Sequence, residues 1–330
     1  MKVAIWGAGK MGQVHAEAYR KMGSGVEIAY IIERDSQKAL DFSKKFQCVG
    51  INDSSGLAKG SVDMIDICLP TYLHKDAIGQ AADLCNFIFC EKPICLTKPE
   101  YDELSRIAKS SGCHLMVGQV LRFWNGYVKA RELVLQGEIG TPRLITCFRR
   151  QKMPDWSKGN WLMDNQQSGG LLMDLCIHDI DYLYWMMGLP GFVFCEIVER
   201  DETTLHSILN LSYPGCCANI IGSWGMPEGF HEGELESLLE IVGDTGMITY
   251  TGGDSLAVIR GSQKESISLL HEDGYERELI YFVECASQHM DPERSNLSAV
   301  EGTMKILWAA KEAAEIKQIV RIDGTLSCDG

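Results

Sequence analysis

The sequence predicts an α/β chain in two domains: a doubly wound parallel sheet over residues 1–120, then an α/β domain with a mostly antiparallel sheet over residues 121–330. Three observations carry this. The apolar run KVAIW leads at once into a glycine loop, GAGKMG, and a stretch with helical apolar spacing. Apolar runs and helical stretches then alternate, as they do where parallel strands are joined by crossover helices. Beyond residue 120 the texture changes to successive strand-like segments rich in Val, Ile and Tyr and punctuated by turn residues. A length of 330 residues, 45% hydrophobic and 23% charged, suits two folded domains.

Taken in order, Gly7, Gly9 and Gly12 fit GxGxxG and open a helix over 13–22. The first glycine permits a tight turn, the second a close backbone approach to a pyrophosphate, and the third close packing of helix on strand. Lys10 and Met11 lie inside the loop and join the expected dinucleotide contacts. The run VEIAYII ends at Glu33, about 20 residues past the glycines, where a carboxylate accepts hydrogen bonds from an adenosine ribose. That favours NAD over NADP. Arg34 beside it suits a 2′-phosphate, which Glu33 would repel. Apolar runs at 62–69, 86–90 and 113–117 then alternate with helical stretches around 73–84 and 99–111. Ligands bind beyond the carboxyl ends of such strands, so Leu69-Pro70-Thr71, Glu91-Lys92-Pro93 and Gly118-Gln119 border one crevice; each also reads as an ordinary turn. Lys92 brings a compact multi-donor ammonium to that border, able to polarise a hydroxyl or carbonyl oxygen.

In the second half, 128–136 reads as helix and 143–150, 205–213, 216–224, 235–243 and 256–260 as strands. The stretch 298–316 is helical and is expected to pack back on the first domain, and IDGTLSCDG reads as a short strand with a frayed tail. SGGLLMDLCIHDIDYLYWMMG predicts a helix with Asp174 and His178 four residues apart on one face. A carboxylate beside an imidazole fixes its tautomer and makes it a workable general base. The alternative is that His178 braces a domain interface while its aromatic neighbours fill the core. Asp181 shares the face, but with no further His or Cys ligand nearby a zinc site is not expected, and no metal is assigned.

A net charge of -14 and a pI near 5.1 exclude nucleic acid and anionic lipid as expected partners. VAIW is too short for a signal-peptide core and no run approaches the roughly 18 apolar residues of a membrane span, so a cytoplasmic protein is expected. The thirteen cysteines lie mostly in apolar runs such as IDICLP, NFIFCEK and LITCF, where reduced thiols act as small core residues.

GAGKMG, PTYLH at 70–74, EKP at 91–93, QVLRF at 119–123 and GGLLMDLCIHDID at 169–181 together resemble, in order and spacing over nearly the whole chain, the glucose-fructose oxidoreductase and inositol dehydrogenase family. The resemblance implies a Rossmann domain and a second domain whose large open sheet commonly builds homodimers or homotetramers. It also implies a Lys-Asp-His constellation falling on Lys92, Asp174 and His178, and a cis bond before Pro93. His74 and Glu91, within the matching motifs, join Leu69, Pro70, Thr71, Lys92 and Gln119 around the dinucleotide. Two departures stand out. Relatives often have three glycines where this chain has Ser168-Gly169-Gly170, and a glycine where it has Cys176, whose bulk is expected to reshape the substrate side of the pocket.

The implied function is an NAD(P)-dependent oxidoreductase, with NAD favoured, moving a hydride between nicotinamide and a secondary hydroxyl or ketone of a sugar, inositol or related polyol. His178 would take the hydroxyl proton, Asp174 orient His178, and Lys92 hold and polarise the oxygen. Arg122, Trp124, Asn125, Trp156 and Trp161 are candidate substrate residues, each equally reasonable as packing; Arg122 would clamp the carboxylate of an anionic sugar. Two alternatives are a glycoside-cleaving enzyme using transient sugar oxidation and a non-catalytic dinucleotide-binding regulator.

Overall fold

The computed structural model describes residues 1–154, 158–200, 203–230 and 235–322. The chain forms two compact units, Met1–Phe123 with Glu272–Val300, and Trp124–His271 with Glu301–Gly330.

The first unit begins β1 (Lys2–Trp6), α1 (Lys10–Lys21), β2 (Glu27–Ile32), α2 (Ser36–Phe46) and β3 (Val49–Ile51), and continues β4 (Met64–Ile67), α3 (His74–Leu84), β5 (Phe87–Glu91), α4 (Lys98–Ser111) and β6 (His114–Gly118). Its six strands lie in the order β3-β2-β1-β4-β5-β6 with every pair parallel. The order in which successive strands are laid across the sheet reverses between β1 and β4, the switch point where such sheets open a crevice. β4 and β5 are buried along their whole length, which is why they read as unbroken apolar runs. Helix ends follow local chemistry. Thr97 and Glu100 form a capping box that starts α4, and Gly112 ends it in the left-handed region at φ 70°.

The second unit contains α5 (Asn125–Leu135), β7 (Pro142–Arg150), α6 (Asn165–Ser168), α7 (Ile177–Met187), β8 (Phe192–Arg200), β9 (Thr203–Tyr213), β10 (Cys216–Ser223), β11 (Glu236–Gly243), β12 (Gly246–Tyr250), β13 (Ser255–Arg260) and β14 (Gln263–Ser268). After β14 the chain supplies α8 (Gly274–Ser287) to the first unit, then ends the second with α9 (Glu301–Ile316) and β15 (Val320–Arg321). The nine strands run β14-β13-β12-β11-β7-β10-β9-β8-β15. The sheet is mixed: β7 and β10 pair in parallel, and the other neighbours are antiparallel. Along β9 buried and exposed residues alternate, the pattern of a strand with one face on a core. Residues 272–300 belong to the first unit, and within the second unit α9 packs on β8 and α7 and is pinned there by Thr303 Oγ1, which donates to buried Asp181 at 2.7 Å. Gly302 also lets α9 approach closely, since a Cβ there would lie 2.1 Å from the Tyr184 ring.

Candidate active site

The glycine loop after β1 has the geometry its spacing predicts. Gly7 sits at φ +111°, and a Cβ there would meet the Cys68 carbonyl oxygen at 2.7 Å. A Cβ on Gly12 would lie 1.9 Å from the Gly7 carbonyl oxygen, so only glycine lets α1 pack this tightly on the turn. Gly9, the N-cap of α1, has nothing within 4 Å of its would-be Cβ and no side-chain cap. It leaves the open backbone and helix N-terminus that a pyrophosphate needs, so the loop fits a dinucleotide. Lys10 is exposed and Met11 half-buried beside it. Half-buried Glu33 accepts from the Ala8 N–H at 3.1 Å and the Asp35 N–H at 3.0 Å, which sets its carboxylate against the loop, while Arg34 is exposed.

The ends of β4 and β5 are tied by one ring. Buried His74 places Nδ1 2.8 Å from the Pro93 carbonyl and Nε2 2.7 Å from the Leu69 carbonyl. Burial pulls its pKa below the usual imidazole range, against the two carbonyls, which favour the cation. Lys92-Pro93 is cis, as the resemblance implies. Lys92 is half-buried, and its backbone N–H donates to Glu91 Oε2 at 3.1 Å. Thr71 and Gln119 are buried at the ends of their turns, and Leu69 and Pro70 are half-buried.

In the second unit the helix carrying Asp174 and His178 differs from the expected regular one. Residues Leu172–Cys176 form a π turn that passes into α7, so Asp174 lies in the π turn and His178 in the first turn of α7. Wide turns of this kind frequently interrupt helices at functional sites. From 170 to 183 every residue is buried except Asp174 and His178, which are both half-buried and so mark the one open edge of the segment. Gly169 and Gly170, at φ +78° and +70°, make the entry to this turn. Ser168 reinforces it, because its hydroxyl donates toward the Leu162 and Asp164 carbonyls and accepts from the Gly170 N–H at 2.9 Å. Behind the open edge, buried Asp179 takes two hydrogen bonds from Arg149 of β7, both at 3.0 Å, and Arg149 also donates to Tyr127. Burial opposes the Arg149 charge, but Asp179 outweighs it and its pKa stays raised.

Three sequence expectations need correction. Arg122 is no anion clamp: it is 2% exposed, and its terminal nitrogens donate to the Arg294 and Ala299 carbonyls at 2.7 and 3.0 Å, bracing the loop before α9. Cys176 does not crowd the open edge. Its Sγ faces the sheet, 3.3 Å from Ser207 Oγ and over Gly222, where a Cβ would come within 2.3 Å of it; burial pushes the thiol up to about 12. Asp181 does not share the open edge with Asp174 and His178, since it is buried against Thr303. Asn125 starts α5 and donates to the Leu270 carbonyl at 2.7 Å, and Trp161 is half-buried in the 3-10 turn Lys158–Met163. Trp156 lies outside the described residues.

The sequence reading missed a buried cluster beneath the glycine loop. His15 of α1 places Nδ1 2.9 Å from Asp66 Oδ2 and Nε2 3.1 Å from Glu91 Oε1, and Glu278 of α8 lies beside them, fully buried. A signal for His15 existed: it shares a helix face with Gly12 and Tyr19, spacing that places it inward.

A parallel sheet of this order with a fitted glycine loop defines a nucleotide-dependent α/β protein with an appended open-sheet domain. Family models agree: the first unit matches an oxidoreductase family with an NAD-binding Rossmann fold over residues 1–119, and the second matches the GFO/IDH/MocA C-terminal domain over residues 127–249. The chain belongs to the GFO/IDH/MocA oxidoreductase family, and its first domain is an NAD-binding Rossmann domain. It is similar to the uncharacterised oxidoreductase YrbE of Bacillus subtilis, 31% identical over 188 residues, 56% of this chain and 53% of that one. It is also similar to the myo-inositol 2-dehydrogenase of Thermotoga maritima, 24% identical over 98% of this chain and 99% of the relative. The chain thus spans about half the length of the first of these and nearly all of the second. Among solved structures, an oxidoreductase from Agrobacterium radiobacter in complex with NAD+, L-tartaric acid and magnesium shares the fold at TM-score 0.85, with 20% identity and 98% of each chain covered. No helix among the described residues is long and apolar enough to cross a membrane.

Proposed function

We propose that this protein is an NAD-dependent dehydrogenase that oxidises a secondary hydroxyl of an inositol, sugar or related polyol, or reduces the matching ketone. The observation that carries the proposal is the isolation of Asp174 and His178 as the only half-buried residues between 170 and 183, on a chain whose glycine loop is sterically committed to a dinucleotide. A carboxylate and an imidazole four residues apart, kept open where all their neighbours are buried, are suited to moving a proton. His178 takes the hydroxyl proton, and Asp174 orients the ring and stabilises its charged form. Lys92 donates to the same oxygen and stabilises the negative charge developing on it. Gly7, Gly9, Gly12 and Glu33 hold NAD, which supplies the hydride acceptor. Thr71, His74 and Gln119 line the turns beside it. The full-length similarity to a myo-inositol 2-dehydrogenase supports the polyol class.

The test is a panel of inositols, polyols, aldoses and glycosides with NAD and with NADP, followed by absorbance of the reduced cofactor. Formation of NADH with at least one polyol, lost in His178→Asn, is expected. Tight NAD binding with no turnover across the panel would refute the reading and favour a dinucleotide-binding regulator. A second reading has a relative behind it, the 2,7-anhydro-N-acetylneuraminate hydratase of Escherichia coli, 27% identical over 56% of this chain. On that reading a glycoside or anhydro-sugar is consumed without net NADH. We further propose a cytoplasmic homodimer or homotetramer assembled through the second sheet. Leu144, Phe192, Ile208 and Ile221 are exposed on one face of it, and sedimentation of the purified protein checks the assembly.

A further inference from the structure

We infer that Glu278 and His15 are positioning residues for Lys92: they grip Glu91 from behind, and Glu91 in turn holds the Lys92 backbone. The inference rests on the dehydrogenase reading for its effect on turnover, while the grip itself can be measured without it.

The geometry is a chain of contacts from α8 to the turn after β5. Glu91 spends one oxygen on each side, Oε2 accepting the Lys92 N–H at 3.1 Å and Oε1 lying 3.1 Å from His15 Nε2, off the line of a straight hydrogen bond. An oxygen of Glu278, a ring nitrogen of His15 and an oxygen of Glu91 lie within 4.8 Å of one another. On its far side His15 is fixed by Asp66 at 2.9 Å, a carboxylate–imidazole pair that sets the ring's orientation. Phe89 packs edge-on to the imidazole and also against Phe282, one turn along α8 from Glu278, so the walls are apolar.

Glu278 is the member that needs explaining. Its exposure is 0%, and among the described residues neither carboxylate oxygen has a hydrogen-bond partner. The titratable groups around it are His15 and Tyr19 on α1, Asp66 on β4 with Cys68 after it, Glu91 at the end of β5, and Asp273 at the start of α8. An ionised Glu278 would be a third carboxylate, with Asp66 and Glu91, facing a single imidazole in a dry pocket. A protonated Glu278 removes that conflict and presents a hydroxyl donor within 4.8 Å of a Glu91 oxygen. Its electrostatics agree: burial first, then Glu91, push its pKa well above the usual carboxylate range, with His15 opposing. For His15, burial lowers the pKa, and Asp66 and Cys68 more than restore it, so the cation is favoured. The pocket then holds one imidazolium, two carboxylates and one neutral acid. Glu91 then faces a cation at 3.1 Å and a neutral donor within 4.8 Å, and its other oxygen holds the peptide N–H of the lysine that follows.

Infrared difference spectroscopy of the purified full-length protein at neutral pH tests the proton directly. A protonated carboxylic acid band is expected in the wild type and lost in Glu278→Gln. The Lys92 backbone amide resonance should move in Glu278→Leu and stay within line-width in Glu278→Gln, which keeps a donor of the same shape. With a turned-over polyol, Glu278→Leu should lower kcat at least ~10-fold with KM for NAD changed less than ~2-fold, and Glu278→Gln should keep kcat within ~3-fold of wild type. Should the leucine variant fail to fold, the band and the glutamine variant still decide. The inference is overturned if Glu278→Gln leaves the band unchanged, if it damages kcat as much as leucine does, or if the wild type carries one equivalent of zinc or manganese that Glu278→Gln releases. A protein with no turnover on any polyol, but with the band and the amide shift as expected, would sink the dehydrogenase reading and leave the grip standing.

Discussion

The glycine loop and the Asp174–His178 segment are held in place by opposite means. The loop depends on backbone: Gly7 in a region closed to other residues, Gly12 with no room for a Cβ, and Glu33 accepting two main-chain N–H groups. The segment depends on side chains from far along the chain, Arg149 on Asp179, Thr303 on Asp181, Ser207 and Gly222 around Cys176. A backbone device is complete within one strand, one turn and one helix. A side-chain device needs β7, β9, β10 and α9 to be in place first. On the proposed function the difference separates what binds the cofactor from what tunes the chemistry, and substitutions should respect it.

Lys92→Ala should break the proposed chemistry alone. Turnover is expected to fall ~10³-fold or more, about 4 kcal/mol of transition-state stabilisation, with NAD affinity within ~2-fold by calorimetry. An unchanged rate with a confirmed substrate would remove Lys92 from the mechanism. Asp179→Ala attacks the side-chain device. It strands the buried Arg149 charge and should cost about 3–5 kcal/mol, read in denaturant unfolding, again sparing NAD affinity. Gly12→Ala attacks the backbone device, forcing a Cβ into the Gly7 carbonyl. It should cost about 1–3 kcal/mol and weaken NAD at least ~10-fold, and an alanine variant binding NAD normally would contradict the loop assignment.

Cys176→Gly sharpens the contrast from the other side. Because the thiol faces Ser207 and Gly222, stability should drop by about 1–2 kcal/mol with kcat and KM within ~2-fold; a large change in KM would put the residue back in the pocket. The smallest effect is in pH dependence. Glu278 keeps its proton in the folded state and loses it in the unfolded one above the usual carboxylate range, so its contribution is full below that range and declines as pH rises toward its raised pKa. Unfolding free energy should therefore fall with pH more steeply in the wild type than in Glu278→Gln, by at most about 1.4 kcal/mol per unit. Equal slopes would mean Glu278 is ionised.

What could be read in the sequence was whatever sits within one motif. GAGKMG, the acidic residue after β2, and the Asp174 and His178 spacing carry their geometry in adjacent residues, and the strands of the first domain announce themselves as apolar runs. Arg122 was misread because its partners lie 172 and 177 residues away, while its neighbours place it beside a strand end that looks like cleft. Glu278 sits in YERELIYF, and its burial follows only from the packing of α8 on α1. The parallel pairing of β7 with β10 has no local signature at all, since strand content fixes neither partner nor direction. Cys176 stands out in the sequence as a departure, but the direction of its thiol depends on Gly222 in β10.

The return of residues 272–300 to the first unit has a consequence for biosynthesis. Ser295 both accepts and donates at Val117, and Asn296 bridges Met116, so the outer edge of the parallel sheet is covered by residues that leave the ribosome some 180 residues after β6 itself. Until then β6 is an open edge with unpaired main-chain groups, and the buried cluster lacks Glu278. Nascent chains ending at residue 123 should therefore aggregate or recruit holding factors, whereas adding 272–300 in trans, or fusing it to the fragment, should restore solubility. For this protein the cofactor domain is encoded first and finished nearly last.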